Sequence, residues 1–179
     1  CGIDLKAIVR VVIKRMILQQ KSAGGGSTIT QQLAKQLYTE HVARNSLQRA
    51  LQKPSEWVIA VKLERYYTKE EILTLYLNKY DFGNNAIGIN TASRTYFGKL
   101  PIELNPEEAA MLIGMCQNSS LYNPLRREEL TRERRNVVLS QMEKAGFLTS
   151  ELKDSLQNME LGLNYHKVDH KVGSATYFR

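Results

Sequence analysis

The amino-acid sequence predicts a mainly α-helical protein that ends in a short extended tail. Apolar residues recur at helical spacing through most of the 179 residues, and helix-start signals precede several of these stretches, as at Thr68 and Asn105. From about Asn158 the pattern changes to the alternation typical of an extended chain: Leu161, Leu163 and Tyr165. We therefore expect one helical domain over residues 1–157 and an extended tail over residues 158–179.

Length, composition and charge limit the class of protein. A chain with 42% hydrophobic residues and four prolines is typical of a globular helical domain. The net charge of +7 indicates an anionic partner, which is nucleic acid, an anionic membrane surface or a phosphorylated substrate. Cys1 and Cys116 are too few for a disulfide framework. No apolar run reaches the roughly 20 residues that span a bilayer, and because the chain begins without Met we expect a longer parent protein.

The first predicted helix covers residues 4–20. Its apolar residues lie on one side, while Lys6, Arg10 and Lys14 recur at intervals of four. Such a helix suits a membrane surface. Packing on the protein's own core with a solvated basic face explains the pattern equally well, so both interpretations stay open.

A run of three glycines, residues 24–26, precedes Ser27 and Thr28 and then a second predicted helix. Glycines remove every Cβ from the turn, and hydroxyl residues cap helix starts. A helix start carries free N–H groups and a partial positive charge, so this loop can admit an anion. A flexible surface turn is the simpler alternative, and the run is not a Walker loop because no Lys-Ser or Lys-Thr pair follows.

Within this second helix, a repeat of four residues predicts an apolar stripe that faces the core: Ile29, Leu33 and Leu37. Thr28, Gln31 and Lys35 then share another face. Lys35 would supply a full positive charge to an anion held at the helix start.

Glu56 is the next candidate. Pro54 favours the first turn of a new helix, which Glu56 would open and which would be buried along its apolar run, residues 57–61. An acid in a first turn is favoured by the helix dipole. Alternatively, Glu56 is a partly desolvated acid in a cleft with Lys53 as its cation.

Four stretches resemble signatures of the peptidoglycan glycosyltransferases, the transglycosylase domains of class A penicillin-binding proteins. They occur in the family's order within Gly2–Leu139: Gly25–Leu33, Lys53–Glu64, Lys69–Asn78 and Arg134–Leu139. The chain departs from the family at four positions, with Gln52 for an arginine, Thr74 for a glutamate, and the unusual Pro54 and Ser55.

The resemblance implies a lysozyme-like helical fold with a smaller membrane-proximal lobe. It also implies glycan-chain elongation from lipid II, with a glutamate base that would lie before Cys1. Lys35 and Lys53 would stabilise the departing pyrophosphate, and Glu56 would be the family's second carboxylate. Four more residues would help to bind the pyrophosphate: Ser27, Thr28, Gln31 and Arg134. A divalent cation such as Mg²⁺ is compatible with the family, although no carboxylate cluster in this sequence demands one.

The implied partners are lipid II, the growing glycan chain, a membrane surface, moenomycin-type inhibitors and a covalently linked transpeptidase domain. Residues 158–179 would be the linker towards that domain. The implied location is the extracytoplasmic face of the cell membrane, with an N-terminal transmembrane anchor outside this chain. Two other classes remain open. One is a lysozyme-like glycan hydrolase, which needs two carboxylates that face a sugar ring. The other is a non-catalytic basic helical binding module, but nucleic acid is disfavoured because the cations are not interleaved with stacking aromatic residues.

Overall fold

The computed structural model describes residues 27–38 and 46–167, of which residues 46–52 by their backbone alone. The helix predicted over residues 4–20 and the three glycines lie outside the described residues. The chain divides into two compact units, Cys1–Lys79 and Tyr80–Arg179. Every regular element of the described part is helical, apart from one isolated bridge between Asp81 and Ile87. The predicted mainly α class is therefore confirmed. None of the described helices is long and apolar enough to cross a bilayer.

The first unit contains three described helices: α1 (Ile29–Tyr38), α2 (Ser46–Tyr66) and α3 (Lys69–Lys79). Helix α1 packs against both of the others. The shared core takes apolar side chains from all three helices: Leu33, Ala34, Ala60, Leu63, Ile72 and Tyr76. Ile29 is 46% exposed because it begins α1, so the predicted apolar stripe faces the core only from Leu33 onward.

The predicted capping box before α3 is confirmed. The Thr68 N–H donates to Glu71 Oε2 at 2.8 Å, and the Glu71 N–H donates to Thr68 Oγ1 at 3.2 Å. Each side chain thus satisfies a backbone N–H that the first helical turn leaves without a partner.

The prediction of a new helix at Pro54 is wrong. The structure has one continuous helix, α2, with Pro54 inside it. Proline lacks the N–H that would bond to the carbonyl four residues earlier, and an interior proline costs about 3 kcal/mol in a helix. Packing of α2 against α1 offsets that cost, so tertiary contacts override the local signal.

The apolar run over residues 57–61 is not buried all round, contrary to the prediction. Val58 is 57% exposed and Val61 is 48% exposed. The face that is buried repeats at helical spacing through Glu56, Ala60 and Leu63. The sequence pattern therefore identified a buried helix but not the face that is covered, and that face includes a carboxylate.

The described part of the second unit contains a 3-10 turn (Pro101–Glu103) and four α-helices: α4 (Ile89–Phe97), α5 (Pro106–Met115), α6 (Glu128–Lys144) and α7 (Ser150–Asn158). Helix α5 begins at the helix start predicted at Asn105, and its side chains Met111, Leu112 and Met115 are buried. One apolar cluster joins three of these helices through Ala110, Leu139 and Leu156.

Beyond α7 the chain is extended, as predicted, and it packs on the end of α4. The Asn164 N–H donates to the Tyr96 carbonyl at 2.8 Å, and the His166 N–H donates to the Thr95 carbonyl at 2.7 Å. Gly98 ends α4 with a φ of 68°, and a Cβ there would lie 3.0 Å from His166 Nε2. Glycine therefore permits this close approach. That residues 158–179 form a linker stays a prediction.

Arg135 lies at the centre of the second unit and is only 1% exposed. Its guanidinium donates to three backbone carbonyls at the end of α7 and just beyond it, at distances of 3.1, 2.7 and 3.0 Å: Gln157, Met159 and Glu160. Burial lowers the pKa of this guanidinium. Arg135 thus ties α6 to the end of α7 and to the segment that follows it.

We expect Arg135→Met to lower the free energy of unfolding by about 3 kcal/mol, because the methionine keeps roughly the volume of the buried side chain but removes the hydrogen bonds to three backbone carbonyls. Arg132→Met on the same helix is the matched control. Arg132 forms a largely exposed ion pair with Glu129, so its loss should change stability by less than about 1 kcal/mol. Chemical denaturation of both variants measures the difference, and equal stabilities would contradict the role given to Arg135.

Candidate active site

Lys53 and Glu56 form an ion pair on α2. Lys53 Nζ lies 2.7 Å from Glu56 Oε2, and the two side chains are 35% and 6% exposed. Glu56 lies in the middle of α2 and not in a first turn, so the helix dipole does not account for its position. The ammonium group of Lys53 accounts for the buried position of Glu56, because a buried carboxylate needs a partner of opposite charge.

Ser27 joins this pair from the end of the glycine segment. Lys53 Nζ donates to Ser27 Oγ at 3.1 Å, across 26 positions of the sequence. An ammonium group has three N–H donors. Ser27 and Glu56 take two of them, so Lys53 keeps one donor and a partly exposed charge for an anionic ligand.

Thr28 caps α1, as predicted. The Gln31 N–H donates to Thr28 Oγ1 at 3.2 Å, and the Gln32 N–H donates to the Thr28 carbonyl at 3.0 Å. Ser27 and Thr28 therefore stand where the helix dipole is positive. The ammonium group of Lys53 and the start of α1 therefore meet at Ser27, and both favour a negatively charged ligand.

Gln31 and Lys35 lie one turn apart on α1 but in different environments. Gln31 is 2% exposed, whereas Lys35 is exposed. The shared face that the spacing predicts therefore runs from the interior to the surface. Their contacts with a ligand stay predictions.

Arg134 belongs to the second compact unit, on α6. Its Nε lies 3.4 Å from the carbonyl oxygen of Gly114, and its guanidinium carbon lies 5.9 Å from the centroid of the Tyr122 ring. A Cβ at Gly114 would lie 3.1 Å from Arg134 Cγ, so glycine lets the arginine side chain cross α5 closely. The binding role of Arg134 stays a prediction.

Two hydrogen bonds that link α1 to its neighbours were not predicted. Thr30 Oγ1 donates to Glu64 Oε1 at 2.7 Å, and Tyr76 OH donates to Gln32 Oε1 at 3.1 Å. The partners are 34 and 44 positions apart, beyond the reach of local patterns. All four residues lie within stretches that resemble the family's signatures, but the resemblance gave none of them a role.

Known proteins are similar to this chain over most of its length. The family model described as Transglycosylase matches residues 1–143. Penicillin-binding protein 1F of Bacillus subtilis is 37% identical over 93% of this chain and 22% of its own length. Penicillin-binding protein 1A of Aquifex aeolicus is 37% identical over 99% of this chain and 23% of its own length.

Among solved structures, penicillin-binding protein 1A from Haemophilus influenzae is similar, with 27% identity and a TM-score of 0.48 over 78% of this chain and 17% of that chain. This chain thus spans about a fifth of the length of the curated relatives it matches. With the family model matching residues 1–143 and four signatures in the family's order, the chain belongs to the transglycosylase family, the peptidoglycan glycosyltransferases.

Proposed function

We propose that this chain is the glycosyltransferase domain of a bifunctional penicillin-binding protein and that it polymerises lipid II into β-1,4-linked glycan strands. The observation that carries the proposal is the ammonium group of Lys53, held between Ser27 and the buried Glu56 beside the start of α1. A fixed, partly exposed cation next to a helix start is suited to a diphosphate leaving group.

In the proposed reaction, a base takes the proton from the C4 hydroxyl of the incoming sugar. The C4 oxygen bonds to the anomeric carbon of the growing chain as the bond from that carbon to the pyrophosphate oxygen breaks. Undecaprenyl pyrophosphate leaves, and the configuration at the anomeric carbon inverts. The base is a glutamate before Cys1, as the family resemblance implies, and the described residues contribute charge at the leaving group.

Lys53 acts at the pyrophosphate, where negative charge grows as the bond breaks. Glu56 orients Lys53, because the contact of 2.7 Å fixes one of its three donors. Lys35 adds a second cation from α1, and Ser27, Thr28 and Gln31 fix the helix start. A phosphate-binding role for Arg134 is proposed from the family resemblance, since guanidinium groups bind phosphate through paired donors.

In the part of the chain that the structure describes, no group of side chains is arranged to bind a divalent cation. No three side chains among its His, Cys, Asp and Glu converge on one point, and Glu56 Oε2 already contacts an ammonium group. A magnesium site needs several oxygen ligands. No step of the proposed reaction is therefore assigned to a metal.

The proposed partners are lipid II, the growing glycan and a linked transpeptidase domain, at the extracytoplasmic face of a membrane. Moenomycin-type inhibitors, which the resemblance implies as ligands, are proposed to compete at the same site. The net charge of +7 supports an anionic membrane and an anionic substrate.

The test is polymerisation of lipid II by a protein extended to include the residues before Cys1 and presented in a membrane. We expect ladders of glycan products that a moenomycin-type inhibitor abolishes. The same protein is incubated with finished glycan as a control for the hydrolase alternative. Cleavage of that glycan without any ladder would overturn the proposed function.

A further inference from the structure

Two side-chain hydrogen bonds hold α1 from two sides. Thr30 is buried and donates to Glu64 of α2, while Gln32 accepts a hydrogen bond from Tyr76 of α3. Successive residues of a helix are 100° apart, so Thr30 and Gln32 point in clearly different directions. Together the two contacts oppose rotation of α1 about its own axis.

The same helix start carries the site. Ser27 lies three residues before Thr30 and accepts the hydrogen bond from Lys53. Helix α2 therefore meets this segment twice, at Lys53 and at Glu64, which are about 16 Å apart along the helix at 1.5 Å per residue. Two separated contacts fix the register of two helices, whereas one contact would allow them to pivot.

The hydrogen bond from Thr30 to Glu64 is short and has a charged acceptor. The hydroxyl of Thr30 donates to a carboxylate at 2.7 Å, and bonds to ionised acceptors are shorter and stronger than neutral ones. Because Thr30 is buried, its hydroxyl would be costly to leave without an acceptor. The register of α1 therefore depends on Glu64.

We infer that Glu64 is a positioning residue of the transfer reaction, which acts through Thr30 to hold Ser27 and the start of α1 in register with Lys53. The inference rests on the proposed function. Glu64 itself touches neither substrate nor leaving group. Its effect arises because displacement of a catalytic group by about 1 Å can cost 100-fold in rate.

The first experiment compares Thr30→Val with Thr30→Ser in lipid II polymerisation by the N-terminally extended protein. Valine keeps the shape but removes the hydroxyl, and we expect kcat to fall about tenfold with KM within twofold, because ground-state binding is largely kept. Serine keeps the hydroxyl and should restore kcat to within about twofold. Glu64→Gln, which keeps an acceptor oxygen, should behave like Thr30→Ser.

Thr131→Val is the matched control. Thr131 is also buried, and its hydroxyl donates to the Arg127 carbonyl at 2.9 Å within the second unit. A general loss of stability would lower activity equally in both valine variants. The inference requires a loss of kcat in Thr30→Val alone, and equal kcat values for the two variants would overturn it.

Hydrogen exchange separates this inference from the proposed function. In Thr30→Val, amide exchange over residues 27–38 should accelerate at least fivefold relative to wild type, while exchange over α5 stays unchanged. Unchanged exchange over residues 27–38 would overturn the anchoring role even if polymerisation fell. A wild-type protein that forms no ladders would overturn the proposed function, and the exchange rates would still decide whether Glu64 anchors α1.

Discussion

Lys53→Ala is expected to lower lipid II polymerisation by about two to three orders of magnitude, the usual effect of removing a donor that stabilises transition-state charge. Lys53 is expected to stabilise the leaving diphosphate with an ammonium group that Ser27 and Glu56 hold in place. Alanine removes the charge and both contacts. The rate of ladder formation at saturating lipid II measures the effect, because charge that develops in the transition state acts on kcat.

Lys62→Ala provides the matched control for Lys53→Ala. Lys62 is on the same helix but exposed, so its replacement changes the net charge equally without touching the site. We expect this variant to keep wild-type kcat within about twofold. If both variants lose activity to the same degree, the loss reflects overall charge, and the role proposed for Lys53 is wrong.

The sequence pointed to the ion pair of the site but not to its architecture. One of the two interpretations of Glu56 made Lys53 its cation, and the structure has that contact, although inside one continuous helix and not at a helix start. The bond from Lys53 to Ser27 spans 26 positions, which no local pattern reveals. The resemblance named both residues, but the geometry that joins them depends on how α1 packs on α2.

The two helix predictions that the structure contradicts fail for the same reason. The helix and burial preferences of single residues do not include the surface against which a helix packs. Pro54 favours a helix start but lies inside α2, and Val58 is apolar but exposed. In each case the position of α1 on α2 decides the outcome. Burial of Glu56 does not follow from its polarity, because buried carboxylates are rare unless paired, and only the interpretation that made Lys53 its cation anticipated it.

Arg134 and Arg135 show a further limit of sequence reasoning. The resemblance singled out Arg134, whereas the second unit depends on Arg135 for three carbonyl contacts. The sequence does place Arg135 in a stripe with Thr131 and Leu139, because the three residues repeat every four positions. All three are buried in the structure. A charged residue within an otherwise buried stripe indicates a satisfied core position.

Glu56→Gln is expected to reduce polymerisation about 100-fold while leaving the fold intact. Glutamine keeps the shape and an acceptor oxygen but removes the negative charge that balances Lys53. The lysine would then be held less firmly and its charge would be aimed less well at the leaving group. Ladder formation measures the loss, and melting of the purified variant checks the fold. A variant with wild-type kcat would contradict the role of Glu56.

The double variant Lys53→Ala/Glu56→Gln distinguishes a catalytic pair from a merely structural one. Lys53→Ala leaves a carboxylate that is 6% exposed without its cation, which should cost about 1 to 2 kcal/mol of stability, given that Lys53 itself is partly solvated. Adding Glu56→Gln removes the unpaired charge and should recover most of that stability. Polymerisation should stay as low as in Lys53→Ala, because residues that act as a unit give non-additive losses. Activity that returns together with stability would mean that the pair only supports the fold, and the charge at the leaving group would then have to come from Lys35.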